Sequence, residues 1–420
     1  MTKRRVLVVS ADILPYPSLP TTGAGLRAWS LGQGLISRGH EVIFSMPAAA
    51  CAGRNVSPDI LRLAWQPQQL HKIISTVAPE VVVVCGWSTM NHLLEPIHVP
   101  IALDQHGPLL LERQFRQAGT AEANQREKWR GLSQADYFCC AGHKQRAYFE
   151  PWLKQAGFEA NSSLTGVIPV SLSPDLPAHT FAAELTFVYG GVFLPWQDPT
   201  AGLEAVIGQM EARQRGQLKF FGGKHPFIKM EEDIFKTVLQ RLEQSFRVAV
   251  QPMTAHAELI ETYRQAHVAL DIMAHNAERE LAFTTRTVEY LWCGLPVMYH
   301  DYAELSELLR RYDAGWVVSP QDKAAIQAAL TEIFEQPNVI IRKSANAQRL
   351  VRECLNWELT IEPLDQFIQQ PTMRANKPTL PTKNLSHLLD NAYQHYQYGG
   401  LLHLLKMGRE FVQKQLGIRN

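Results

Sequence analysis

Cysteine is sparse in this chain, with six in 420 residues: Cys51, Cys85, Cys139, Cys140, Cys293 and Cys354. None stands in a CxxC pair and no Cys/His group has zinc-ligand spacing, so no structural zinc site is expected. Most of the six fall in apolar strand-like or helical runs, which reads as reduced, buried thiols in a cytoplasmic protein. Long hydrophobic runs are missing too. No stretch reaches the roughly 18 apolar residues of a membrane span. The start, MTKRRVLVVSAD, is basic, but its apolar run is too short for a signal peptide and Asp12 interrupts it. Charge of one sign is lacking: 41 Lys and Arg face 40 Asp and Glu, so a general nucleic-acid binder is not expected. HExxH, GxSxG and repeats of solenoid length are absent. What remains is an ordinary globular composition, 46% hydrophobic and 19% charged, long enough for two to three domains.

Short β-branched runs alternate with helical patterns along the chain. Val6–Ser10, Glu41–Ser45, Val81–Cys85, Ile101–Leu103, Tyr137–Cys140 and Val167–Val170 read as strands, several of them apolar on both faces. Helix patterns lie between them, as at Gly25–Ser37 and His143–Lys154. A Pro- and Ser-rich stretch, Ser171 to Ala183, reads as a linker. The alternation then restarts, with strands at Thr186–Tyr189, Leu218–Phe221, Arg247–Gln251, Val268–Ile272, Pro296–Tyr299 and Trp316–Val318. The expected organisation is α/β: two doubly wound Rossmann-like domains over residues 1–175 and 184–340. Helices over 341–368 would cross back to the first domain. Residues 369–420 read as a linker and an amphipathic helical tail, LLHLLKMGREFVQKQLG, a candidate for contact with a membrane surface or a partner, or for packing on the core.

Five stretches carry chemistry-bearing residues. In Thr21–Val42, Gly23 and Gly25 open a helix and would let backbone approach a phosphate or sugar, with Arg27 adding charge; a plain turn and helix is the alternative. The spacing does not fit a dinucleotide fingerprint. Asp104-Gln-His-Gly-Pro108 ends an apolar strand, where His106 would line a cleft or serve as a structural hydrogen-bonder. Gly190 and Gly191 follow another strand, with Trp196 either capping a ligand or packing an interface. Phe220-Phe-Gly-Gly-Lys-His225 lacks the Walker pattern; Lys224 would pair with phosphate or stay solvated.

The fifth stretch, Glu278 to Val297 (ERELAFTTRTVEYLWCGLPV), reads as loop, helix, glycine cap and buried strand. A helix start facing a cleft favours anions, and helical spacing puts Arg286, Glu289 and Tyr290 near one face. Arg286 and Glu289 would otherwise form a surface pair.

Taken in this order, roughly residues 1–360 resemble the retaining GT-B glycosyltransferases of the family 4 class, cell-wall and surface-polysaccharide branch. The resemblance rests on the glycine loop and RGHEV strand (Gly23 to Val42) and on VEYLWCGLPV (Val288–Val297). It implies Glu289 as ribose ligand of a nucleotide-sugar donor, since a carboxylate accepts both hydroxyls of a vicinal diol. It implies an earlier glutamate at position 281, which here is leucine; Glu278 and Glu280 flank that place and compete for contact with the donor sugar. Backbone N–H groups of Phe283, Thr284 and Thr285 would face the diphosphate, and His106 the donor sugar. The family's cationic pair in the loop after the first strand of the second domain is missing from GGVFLPWQDP. Arg286, Lys224 and Arg27 are the candidates to replace it, Arg286 first.

The expected chemistry is sugar transfer with retention, by front-face displacement in which the leaving phosphate helps deprotonate the acceptor hydroxyl. No cofactor beyond the donor is expected, and no metal, since no Asp-x-Asp occurs. The acceptor would be a glycan, a lipid-linked or a small molecule. A catalytically weak binding or partner subunit and a nucleotide-sugar epimerase are the alternatives.

Overall fold

The computed structural model describes residues 2–16, 19–67, 69–93, 97–159, 164–222, 235–375, 377, 405 and 408. Among these residues, twelve strands form two six-stranded sheets in which every pairing is parallel. The first holds β1 (Arg5–Val9), β2 (Glu41–Ser45), β3 (Val81–Cys85), β4 (Ile101–Asp104), β5 (Tyr137–Cys140) and β6 (Thr165–Val167), in the order β2-β1-β3-β4-β5-β6. The second holds β7 (Thr186–Gly190), β8 (Gln217–Phe221), β9 (Val248–Gln251), β10 (Val268–Asp271), β11 (Val297–His300) and β12 (Gly315–Val318), in the order β12-β11-β10-β7-β8-β9. Strand order reverses between β1 and β3 and between β7 and β10. Such switch points open a crevice at the strand carboxyl ends.

Alternation of side chains explains why helices must cover both faces of each sheet. Val6, Val8, Val81 and Val83 pack on one side of the first sheet with Leu31 and Leu35, while Leu7, Val9, Val82 and Val84 pack on the other with Ile73 and Leu132. In β7, Phe187 and Tyr189 join one core and Val188 the opposite one. This is the GT-B architecture, two Rossmann-like domains facing each other. The long helix Pro337–Cys354, with proline at its start where no N–H is needed, leads the chain back. Beyond it, Ile361, Leu364, Phe367 and Ile368 complete the core of the first domain, and Phe367 stacks on Tyr137 at 4.7 Å.

The domains meet through directed contacts. The Glu304 carboxylate of the second domain accepts the backbone N–H groups of His143 and Lys144, both at 3.0 Å, and so caps the first-domain helix His143–Gln155. Gln145 Nε2 donates to the Leu281 carbonyl at 3.0 Å, and His256 N to the Leu19 carbonyl at 3.3 Å. All six thiols are unpaired, five of them buried. No helix among the described residues is long and apolar enough to cross a membrane. The amphipathic tail, apart from Leu405 and Gly408, lies outside the described residues.

Candidate active site in the interdomain cleft

A cavity of about 390 Å³ opens between the domains at the carboxyl ends of both sheets. Its second-domain wall is built around two short helices. Thr285–Trp292 starts at Thr284, whose hydroxyl turns inward to Thr287 (2.8 Å) and Tyr299 (3.0 Å) and makes no cap to the first turn. The first-turn N–H groups of this helix therefore have no side-chain cap, and Phe283, Thr284 and Thr285 line the cavity.

Arg286, in that first turn, reaches back under the glycine loop that follows β7. Its Nη2 donates to Gln197 Oε1 at 2.6 Å, its guanidinium lies 4.9 Å over the Tyr189 ring, and its Nε is 4.0 Å from Asp271 Oδ1. Gly191 makes room for it: a Cβ there would lie 2.9 Å from the guanidinium carbon, and its φ of +155° suits glycine. Burial works against the charge of Arg286, but Tyr189 and Asp271 outweigh it and raise its pKa.

The second helix, Ala277–Leu281, is missing from the sequence reading, which took this segment for a loop. Asn276 caps it, accepting Arg279 N at 2.9 Å. The helix separates the two rival glutamates. Residues two apart on a helix point about 200° away from each other. Glu278 faces the cleft and is 2% exposed. Glu280 faces outward, its side chain 46% exposed, with Lys144 Nζ at 3.7 Å and His275 Nε2 at 3.4 Å.

Between the glutamates stands Arg279, a cleft residue that the sequence reading passed over. Its Nε and Nη2 donate to the two Glu278 oxygens at 2.5 and 2.7 Å, deep in the interior. Burial opposes its charge, and Glu278 more than restores it. Nη1 of Arg279 and Nη1 of Arg286 are both buried with no hydrogen-bond partner among the described residues. Two donors left unpaired on two cations are costly in the absence of an anion. The Asn276 cap, a short polar residue just ahead of the first-turn acids Glu278 and Glu280, is the signal that would have found this helix.

Glu289 also lines the cleft and is 6% exposed. Its Oε1 accepts from His256 Nε2 at 2.5 Å, leaving Oε2 available to a ligand diol. Burial alone would lower the His256 pKa, but the charge of Glu289 and its hydrogen bond raise it. Across the cleft, His106 follows β4, and burial lowers its pKa, so it is neutral at pH 7. Glu112, on the unforeseen helix Leu109–Phe115, also lines the cleft. Burial and the nearby Glu278 charge push its carboxyl up to about 8.

Two expected ligand contacts, Arg27 and Gly25, fall elsewhere. Arg27 does not line the cavity. Its guanidinium is spent on Asp104 (2.9 and 3.2 Å) and on the carbonyls of Ile168 (2.6 Å) and Pro169 (3.1 Å), which ties the first helix to β4 and the end of the sheet. Gly25 is required by packing: a Cβ would lie 1.7 Å from the Ile13 carbonyl oxygen. Gly23, two residues earlier, does line the cleft, and Thr285 Oγ1 donates to its carbonyl across the domains at 3.4 Å. Trp196 lines the cavity and also packs at the domain interface, 3% exposed, with its ring 6.4 Å from Phe115. Lys224 lies outside the described residues.

Residues 183–350 match the family model described as glycosyl transferases group 1. No curated protein sequence matches the chain. Among solved structures, it is similar to sucrose-phosphate synthase from Thermosynechococcus elongatus at 18% identity and a TM-score of 0.65, over 88% of this chain and 99% of that one. Anabaena HepE in complex with UDP-glucose gives 13% identity and a TM-score of 0.63, over 87% and 99%. A trehalose-6-phosphate structure from E. coli bound with UDP-2-fluoro glucose gives 11% and 0.60, over 88% and 100%. The family match and the shared fold support a GT-B glycosyltransferase.

Proposed function

We propose that the protein transfers a sugar from a nucleoside-diphosphate sugar to an acceptor hydroxyl, with retention at the anomeric carbon. The observation that carries this reading is that one cavity is lined by two buried arginines, each with an unpaired Nη1 among the described residues, and by the uncapped start of the helix Thr285–Trp292. A diphosphate carries the charge and the acceptor oxygens that this arrangement lacks. Arg279 and Arg286 thereby replace the cationic pair missing from the GGVFLPWQDP loop. That favours turnover over the alternative of a binding subunit without catalysis. The matched family and the UDP-sugars held by two similar structures support the same ligand class.

On this reading Glu289 Oε2 takes the ribose diol, and Glu278 with neutral His106 contacts the donor sugar. The acceptor oxygen attacks the anomeric carbon as its bond to the phosphate oxygen breaks. The electron pair leaves with the diphosphate, the two arginines stabilise the growing charge, and a phosphate oxygen receives the acceptor proton. Attack and departure on one face retain the configuration. The protein contributes orientation and fixed charge rather than a covalent intermediate. Proton NMR of UDP-glucose incubated with the protein and water as acceptor tests this: α-glucose and UDP appear first. Initial β-glucose contradicts retention, and inversion of the intact donor's sugar indicates an epimerase.

A further inference from the structure

The two walls of the cleft differ in charge. The cations that line it among the described residues, Arg279 and Arg286, both belong to the second domain. On the first-domain side, Arg27 is held by Asp104. Arg113 is bonded to Asn124 and Glu127, both at 2.6 Å, and Lys128 is buried over the Trp152 ring at 4.1 Å. The segments of that domain outside the described residues contain no Lys or Arg in their sequence.

The groups that face the cleft from this wall include Asp12, Trp87, Ser88, Gln105, His106 and Glu112. Gln105 is 1% exposed, and neither its amide oxygen nor its nitrogen has a partner among the described residues. Trp87 Nε1 is likewise buried without one. Leaving an amide unpaired in the interior costs stability unless a ligand bonds to it. An amide offers a donor and an acceptor side by side, which suits a pair of neighbouring hydroxyls. A phosphate or carboxylate here would meet mainly acids and neutral dipoles: among the described residues Arg113 and Arg116 lie close enough to act on Glu112, but Arg113 is already bonded to Glu127 and Asn124.

We propose that this wall, through Gln105, Trp87, Ser88, Asp12 and Glu112, takes an uncharged polyhydroxylated acceptor: a sugar or glycoside without phosphate or carboxylate at the recognised unit. The inference rests on the donor reading above and specifies its second substrate. Glu112 strengthens it, since a carboxyl that holds its proton at pH 7 donates a hydrogen bond to a sugar oxygen.

The test is ligand-observed NMR and calorimetry on the full chain with UDP present, using matched pairs: glucose and glucose 6-phosphate, fructose and fructose 6-phosphate. The uncharged member of a pair binds at least about tenfold more tightly than its phosphorylated partner. Gln105→Leu weakens that sugar at least about tenfold, as loss of a buried polar contact does, and leaves UDP affinity unchanged. A phosphorylated sugar that binds as well or better overturns the proposal. So does binding of neither member while UDP binds, or an unaffected Gln105→Leu. If UDP fails to bind, the donor reading falls, and the sugar pairs run without nucleotide still decide this one.

Discussion

Replacing Arg286 by alanine separates the two jobs that its position implies. In the folded protein the guanidinium is the nearest cation to Asp271, which is wholly buried and otherwise accepts the Thr287 hydroxyl. Removing one member of a buried pair costs about 3–5 kcal/mol when the pair is tight. Here the separation is 4.0 Å through a single oxygen, so we expect about 2 kcal/mol. For a domain of this size that lowers Tm by about 4–8 °C. The catalytic job is separate. A charge-assisted hydrogen bond to the departing diphosphate is worth about 2 kcal/mol, or about 30-fold in kcat/KM. Asp271→Asn in the Arg286→Ala background removes the stranded charge, so most of the Tm returns while turnover stays low. The assays are differential scanning calorimetry and UDP release from a panel of nucleotide sugars. Arg286→Ala with kcat/KM and UDP affinity near wild type would refute the assignment, and recovery of turnover along with Tm would reduce Arg286 to a structural role.

Glu278→Gln lowers turnover at least about tenfold because it faces the cleft, whereas Glu280→Gln, an exposed partner of Lys144 and His275, changes stability and rate little; equal effects in the same release assay contradict the helical assignment. Gly191→Ala pushes the Arg286 guanidinium aside and strains a positive φ, costing about 1–3 kcal/mol and weakening UDP binding measured by calorimetry; unchanged affinity would show that Arg286 does not need that space. Glu112 sets a pH dependence. Its folded pKa of about 8 lies above the ordinary 4.5, so the native state keeps a proton that the unfolded chain releases, and wild-type stability falls as pH rises through that window. Glu112→Gln does not titrate, so its Tm advantage over wild type grows from about pH 5 to about pH 8 and is flat above; an advantage independent of pH contradicts the shift.

Most strands were legible because they are short apolar runs bounded by turn residues; the exception is the sixth, expected at Val167–Val170 and found at Thr165–Val167, where TGV carries little apolar signal. Val81–Cys85 is the clearest, five buried residues with no polar interruption. Both sheets followed from that pattern, and the helix Thr285–Trp292 was legible from its glycine exit. The short helices Leu109–Phe115 and Ala277–Leu281 were not: one or two turns carry no periodic signal. That gap left Glu278 and Glu280 as rivals and hid Arg279 and Glu112. Arg27 was misplaced for a different reason. Its partner Asp104 lies 77 residues away, and no local pattern announces a buried ion pair between them. Gly25 looked like a ligand-approach glycine, yet the atom it makes room for is the Ile13 carbonyl oxygen.

Calorimetric titration of UDP and UDP-glucose into wild-type protein and the Arg279→Met, Arg286→Ala double variant tests the central claim most directly. If the two guanidinium groups and the helix start form the diphosphate site, the wild type binds the nucleotide, and the double variant loses at least about 3 kcal/mol of affinity, more than 100-fold. Equal affinity in the two proteins, or no binding of any nucleoside diphosphate or its sugar to the wild type, would contradict it.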